Sequence, residues 1–227
     1  MKNFRNITWI LLSFFALACS KEETGNNTDT ANIMLIHASP DAPSVDAYTD
    51  TLKLNGTVLS YSGATEYLPI YAGSRSISVK TGGTNTTLFN TPAYPFVKNK
   101  FYSLFIVDSA TRASVVAFED NLMPPASRKT HFRILHLSPN TGRVDYILRS
   151  GPDSIAISDK AFKSVSDLYA IDGKTYDIRV KLTGTQNVIA SATGVALNTG
   201  KVHTLFLKGF TGGAGASALG VQTIINK

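Results

Sequence analysis

Two residue types that do acid–base and metal chemistry, histidine and aspartate, stand nine positions apart in this chain, and they do so twice. The first occurrence is His37-Ala38-Ser39-Pro40-Asp41-Ala42-Pro43-Ser44-Val45-Asp46. The second is His136-Leu137-Ser138-Pro139-Asn140-Thr141-Gly142-Arg143-Val144-Asp145. A histidine oriented by an aspartate and set beside a nucleophile is a catalytic triad. The same pair joined by one or two further ligands is a metal site.

The rest of the sequence does not complete either constellation. There is no Gly-x-Ser-x-Gly elbow, and Cys19 is the only cysteine, which excludes an intrachain disulfide and a cysteine-based zinc site. The four histidines divide into His37 in the first half and His131, His136 and His203 in the second. Asp41, Asp46 and Asp50 are close in sequence but lack the spacing of an EF-hand. Gly213-Ala214-Gly215-Ala216-Ser217-Ala218 grazes a dinucleotide fingerprint, yet no helix follows it, so it reads as a hairpin loop. No catalytic residue, metal ligand or cofactor is assigned, and His37, Ser39, Pro40, Asp46, His136, Ser138, Pro139 and Asp145 are read as a structural motif. If the loop closes a hairpin about positions 41–42, residues 37 and 46 become cross-strand partners. Each imidazole then bonds the carboxylate or the loop backbone, and Ser39 and Ser138 cap the loop with a hydroxyl.

The elements around the motif read as strands. Ile33 to Ala38 is an apolar β-run stopped by Pro40 and Pro43, and Val45-Asp46-Ala47-Tyr48 alternates as a half-buried strand does. Leu52–Leu54, Thr57–Tyr61, Glu66–Ile70, Ser74–Lys80, Thr86–Asn90, Phe101–Asp108 and Ser114–Glu119 follow, separated by Asn55-Gly56, Gly82-Gly83 and the stretch from Pro92 to Pro95. Asp159–Leu168 has some helical periodicity but reads as a short turn or strand. The spacing predicts an all-β fold of antiparallel, immunoglobulin-like sandwiches.

The motif is not the only thing repeated. Ser74–Lys80 matches Thr175–Lys181, and Lys100–Phe105 matches Lys201–Phe206, with an offset that drifts only from 99 to 101 residues. Repetition at that length predicts two tandem modules, residues 32–122 and 130–227, each long enough for its own core. Met123-Pro124-Pro125 between them predicts a stiff linker and a preferred angle.

Before the first module lies a targeting segment. Lys2 and Arg5 precede a run of twelve mostly apolar residues, Ile7–Ala18, too short for a permanent span of roughly 30 Å of hydrocarbon. Ala16-Leu17-Ala18-Cys19 resembles a bacterial lipobox, which predicts a signal peptide over 1–18 and lipidation at Cys19. Ser20-Lys21-Glu22-Glu23 resembles the signal that sends Bacteroidetes lipoproteins to the outer face of the outer membrane. Residues 19–31 hold no hydrophobic anchor and read as a flexible tether. Removing the segment takes the formal charge from +6 to +4, and the remaining basic residues form no run, so no nucleic-acid partner is expected.

The His-Ala-Ser-Pro-Asp-Ala-Pro opening with its Val-Asp, Tyr48 and later Ala72-Gly73 resembles the bacterial family catalogued as domain of unknown function 4397. The resemblance covers nearly all of 32–227 and implies an exported β-sandwich protein, often with the domain in tandem, and no chemistry. The second copy departs at Asn140-Thr141-Gly142, losing the counterparts of Asp41 and Pro43.

The function expected is that of a non-enzymatic, lipid-anchored protein of the outer membrane that binds an unknown protein or glycan. The alternative is a glycan-binding lipoprotein of a polysaccharide-uptake system, and a hydrolase with an unrecognised site comes third. Trp9 lies in the signal segment, so a sugar platform would need tyrosines, with Tyr61, Tyr67, Tyr71 and Tyr94 as candidates.

Overall fold

The computed structural model describes residues 29–227. The expected signal peptide, Cys19 and most of the expected tether lie outside the described residues. The first half contains β1 (Thr30–His37), β2 (Val45–Thr49), β3 (Leu52–Lys53), β4 (Leu68–Tyr71), β5 (Gly73–Arg75), β6 (Ile77–Thr81), β7 (Thr87–Asn90), β8 (Tyr94–Phe96), β9 (Phe101–Val107) and β10 (Ser114–Glu119). The second contains β11 (Lys129–His136), β12 (Val144–Ser150), β13 (Asp153–Lys160), β14 (Tyr169–Asp172), β15 (Lys174–Leu182), β16 (Val188–Leu197), β17 (Val202–Lys208) and β18 (Gly220–Ile225). The fold is all-β, and no helix among the described residues is long and apolar enough to cross a membrane.

Each half is a pair of facing sheets. In the first, β10-β9-β1-β4 covers β3-β2-β6-β7 across a core that includes Ile33, Leu35, Val45, Ile77, Leu104 and Ile106. In the second, β14-β11-β17-β18 covers β13-β12-β15-β16 across Phe132, Ile134, Tyr146, Ile178, Val180 and Leu205. The strand orders correspond, with β15 standing for β5 plus β6 and β16 for β7 plus β8.

Four expectations need correction. The chain is already in β1 at Thr30, where it pairs with Tyr71, so residues 30 and 31 are not tether. Thr57–Tyr61 is no strand and makes a single bridge, Leu59 to Val45, and the chain turns just after it at Ser62, where φ is 67°. Tyr94–Phe96 is a strand despite its central proline: Pro95 sits on a two-stranded ribbon where its missing N–H costs no ladder bond in a central strand. Finally, the sheets are not wholly antiparallel. β1 runs parallel to β9, and β11 to β17. The chain between each such pair passes through the other sheet, a crossover long enough to return in the original direction.

β1, β9, β11 and β17 do not alternate apolar with exposed polar residues, because they are buried on both faces, and polar side chains within them such as Ser103, Arg133, His203 and Thr204 are buried too. Ile33 and Leu35 point into the first core, whereas Met34 and Ile36 point the other way, into a third cluster with Phe105, Val107, Leu135, Leu137 and Phe206. That cluster is the seam between the halves. The rings of Phe105 and Phe206, which occupy equivalent positions in β9 and β17, meet there edge to face at 5.5 Å. Each fully buried side chain of this size contributes on the order of 1.5–3 kcal/mol. By contrast β15 alternates Tyr176, Ile178 and Val180 inward with Asp177, Arg179 and Lys181 outward, as a strand with one wet face must.

Candidate functional site

The two motif loops, 38–44 and 137–143, carry the candidate chemistry. β1 and β2 do not form a hairpin. They lie in facing sheets, and the loop from Ala38 to Ser44 carries the chain across the sandwich, so Asp46 pairs with Lys80 and Asp145 with Lys181. Sheets pack about 10 Å apart, which puts the expected His37–Asp46 and His136–Asp145 contacts out of reach. The second expected outcome, a bond to loop backbone, is what forms.

His37 continues the inward face of Ile33 and Leu35 and is fully buried. Its Nε2–H donates to the Pro43 carbonyl (2.9 Å), and Nδ1 accepts from the Ser39 amide (3.4 Å). His136 repeats this with Gly142 (3.0 Å) and Ser138 (3.3 Å). A carbonyl can only accept and an amide can only donate, so both rings are neutral Nε2–H tautomers with no free lone pair. Burial drives both imidazoles below their usual pKa, against the opposing pull of the carbonyl bond. Neither nitrogen can take a proton from a nucleophile or ligate a metal while these bonds hold.

The serines are equally committed. Ser39 donates to the Asp108 carbonyl and Ser138 to the Gly209 carbonyl, both at 2.6 Å, tying the end of β1 to that of β9, and β11 to β17. Ser138 also accepts from the Thr141 hydroxyl of its own loop at 2.7 Å, the bond expected of both serines, whereas the Ser39 hydroxyl reaches only the Asp108 carbonyl. Pro40 and Pro139 follow where the chain leaves the sheet. Asp46 is buried and accepts from the Gly83 amide (2.9 Å), Asn55 (3.0 Å) and Lys53 (2.9 Å). Burial alone would raise its pKa, but these three donors outweigh it and hold the carboxyl below its usual value. Asp145 does the same work in the second half, accepting from the Asp159 amide and the Thr183 hydroxyl, each at 2.8 Å. Among the described residues, no group of three or more His, Cys, Asp or Glu converges as a metal site.

The four tyrosines do not share a surface. Tyr71 is exposed beside Arg75, and Tyr94 packs on Phe96 and Tyr102. Tyr61 lies edge-on to His37 with Lys208 of the other half 4.6 Å from its ring centre. Tyr67 is part of the seam.

Sequence reasoning missed the polar side of that seam. Arg133, on β11 among apolar neighbours, donates through Nη2 to Asp120 at 2.5 Å and through Nε to Thr204 at 2.9 Å. Asp120 also accepts from the hydroxyls of Tyr67 (2.6 Å) and Ser103 (2.8 Å). Asn226 donates to those same hydroxyls and accepts from Thr204 at 2.6 Å. Every hydroxyl therefore gives one hydrogen bond and receives one, across both halves. The signal available was Arg133 itself, a charge inside an otherwise apolar run.

Of the recesses among the described residues, one of about 370 Å³ lies among Arg128, Asp172, Gly173, Lys174 and Thr199, and two others adjoin an open sheet edge and the seam. One is an apolar cleft of about 200 Å³ at the open edge of the first sandwich, among Ile77, Pro92, Tyr94, Phe96, Val115 and Ala117. The other, about 310 Å³, lies at the seam, with Arg133 at its floor and Phe118, Asn121, Val165 and Leu168 around it.

Comparison with known proteins adds the following. The model of the domain of unknown function DUF4397 matches residues 31–147, from β1 through the first strands of the second half. No curated protein matches the chain. Among solved structures, a family 26 carbohydrate-binding module of Eubacterium rectale Amy13K in complex with maltoheptaose is similar at 14% identity and a TM-score of 0.28, over 86% of this chain and 95% of that one. With more than half of its length matched, both His…Val-Asp openings included, the chain belongs to the DUF4397 family.

Proposed function

We propose that this is a non-enzymatic binding protein of the cell envelope, hung from the outer membrane by lipid on Cys19, whose two modules (32–122 and 130–227) act as one rigid body. The observation that carries the reading is the seam. A doubly buried apolar sheet face plus a polar network whose three hydroxyls each give and receive a hydrogen bond fixes the loops of one half relative to those of the other. That is what presenting a composite surface to a partner requires. Supporting it, both motif histidines and both motif serines spend their hydrogen bonds on the fold.

Labelling cells with a radioactive fatty acid tests the anchor: label is expected on the native protein and absent from Cys19→Ser, and an unlabelled secreted product refutes it. A pull-down from intact cells tests the binding role. Screening the purified protein against hydrolase substrates is expected to give no turnover, and a turnover lost in a folded His37→Ala variant would overturn the non-enzymatic reading. A glycan partner is the second reading; since the tyrosines are dispersed, it would be met at a recess.

A further inference from the structure

The seam is close to two-fold symmetric, and its departures from symmetry point to a site. Phe105 stands opposite Phe206, Ser103 corresponds to Thr204, and Asp120, following β10, corresponds to Asn226, following β18. The loop before β4 corresponds in the same way to the loop before β14, so Tyr67 is the counterpart of Leu168, and Met34 of Arg133. On one side of the axis, the Tyr67 ring fills the space beside β18 and its hydroxyl bonds Asp120 and Asn226. On the other side, the shorter Leu168 leaves the recess of about 310 Å³ open beside β10.

What is missing there is a ring and a hydroxyl. Arg133 is 7% exposed and carries five N–H groups. Nε and one Nη2–H are well bonded, and one Nη1–H reaches the Glu119 carbonyl only at 3.4 Å. The other two have no partner among the described residues, and Arg133 lines the recess. Asn121, on the rim, accepts the Met123 amide through its oxygen, which leaves its NH₂ group unpaired. The walls between these donors are largely apolar, with Phe118, whose ring lies 5.9 Å from the guanidinium carbon, Val165 and Leu168, and they also include Ser166 and the carboxylate-bearing Glu119, a further reason for an uncharged ligand.

We infer that this recess binds an uncharged six-membered ring bearing hydroxyl groups, placed where a second Tyr67 would sit. The ring's apolar face lies on Phe118 and Leu168, and its oxygens accept from Arg133 and Asn121. The ligand is neutral because Asp120 already balances the guanidinium, so a carboxylate would bring an uncompensated charge beside Asp120. The volume is at the lower end of ligand pockets and suits one ring rather than an extended chain. A pyranose and a phenol share this chemistry. The inference rests on the binding role proposed above and names its ligand.

The test is titration of the whole mature protein with glucose, galactose, p-cresol and, as a charged control, gluconate, followed by NMR at the Asn121 side-chain amide and Arg133 Nε–H. Saturable shifts with the neutral sugars or with p-cresol are expected, and which of them shifts the signals identifies the source. Leu168→Tyr supplies the missing ring from the chain itself and should abolish the shifts without lowering the melting temperature, since the symmetric position already holds tyrosine. Asn121→Asp keeps the acceptor for Met123 but loses the donor, and should weaken binding about five- to tenfold. No saturable shift with any neutral ring, or unchanged binding in Leu168→Tyr, overturns the inference. Capture of a protein partner under those same negative results would leave the binding role standing and the ring site refuted.

Discussion

Where the second half sets Tyr176 into its core, the first half has Arg75, which turns out to Asp50 at 2.5 Å. Val195 opposite Tyr176 corresponds to Tyr94 opposite Arg75. β16 runs unbroken for ten residues and lies against β18, closing the edge of its sandwich, whereas β7 stops at Asn90 before Pro92 and leaves a cleft beside β10. The second half also spans its sheets with Tyr146, whose hydroxyl donates to the Leu135 carbonyl and accepts from the Leu207 amide, both at 2.7 Å. The first half has Ala47 there and braces β2 through Asn55 instead, whose side chain bonds Ala47, Val45 and Asp46. One strand circuit thus accepts two ways of filling its ends, and the second is the better closed.

If the seam holds these unlike halves together, breaking its ion pair should outweigh any change inside either. Arg133→Ala leaves Asp120 as a buried carboxylate without its cation, and is expected to lower unfolding free energy by about 3–5 kcal/mol in a urea titration. The symmetric positions suggest the remedy, since they hold Met34 and Asn226. Arg133→Met with Asp120→Asn should recover more than half of the loss. A loss below about 1 kcal/mol in the single variant would mean that the apolar cluster alone holds the halves.

Within the halves, Tyr146→Phe orphans one buried carbonyl and one buried amide and should cost about 1–3 kcal/mol. The same chemical change in the first half, Tyr102→Phe at a non-equivalent position, removes only the acceptor of the Val97 amide (3.0 Å), at an exposed residue whose N–H can turn to water. It should cost less, about 1 kcal/mol. Equal losses would contradict the ranking of the two closures.

Tyr102 has a counterpart that titrates. His203 takes its place and accepts the Asn198 amide through Nε2 at 3.1 Å, as Tyr102 accepts Val97. Burial lowers the pKa of His203, as it does for His37 and His136. A base whose folded pKa lies below its unfolded value of about 6.5 binds more protons when unfolded, so stability rises with pH between the two values. The contribution is complete above about pH 6.5 and is lost as pH falls toward the folded pKa. Each histidine can supply up to about 1.4 kcal/mol per pH unit in that window. His203→Tyr, copying the first half, should flatten the rise of stability with pH just below pH 6.5 in melting curves. An unchanged slope would mean that His203 is already protonated in the fold.

The strands were legible because their alternation is a direct image of one wet and one dry face, as in β15. The unbroken run Ile33-Met34-Leu35-Ile36 was legible as β but not as doubly buried, since a run of that kind does not say what covers its second face. The His–Asp spacing suggested a hairpin partnership, and two prolines suggested a loop. Nothing local distinguishes a loop that turns back within one sheet from one that crosses to the facing sheet. The seam network was illegible for a different reason: Tyr67, Ser103, Asp120, Arg133, Thr204 and Asn226 meet only when both halves are packed. Of the recesses, only the break at Pro92 left a trace in the sequence.

That trace supports the smallest prediction. The cleft beside Pro92 is lined by Ala117 on β10, whose side chain packs against the first core, and its volume of about 200 Å³ exceeds what two methyl groups would fill. Ala117→Val adds those methyls to apolar surface that lacks contacts, in a β-branched side chain suited to a strand. The expected gain is about 0.5–1 kcal/mol, or roughly 2 °C in melting temperature for a chain of this size. Thr223 is the equivalent position in the second half, where β16 already lies against β18, and Thr223→Val should add little. A gain in the first half with none in the second is the signature of one open and one closed edge. Equal gains would mean that the difference between the halves lies elsewhere, in Tyr146 and Asn55 rather than in the interrupted strand.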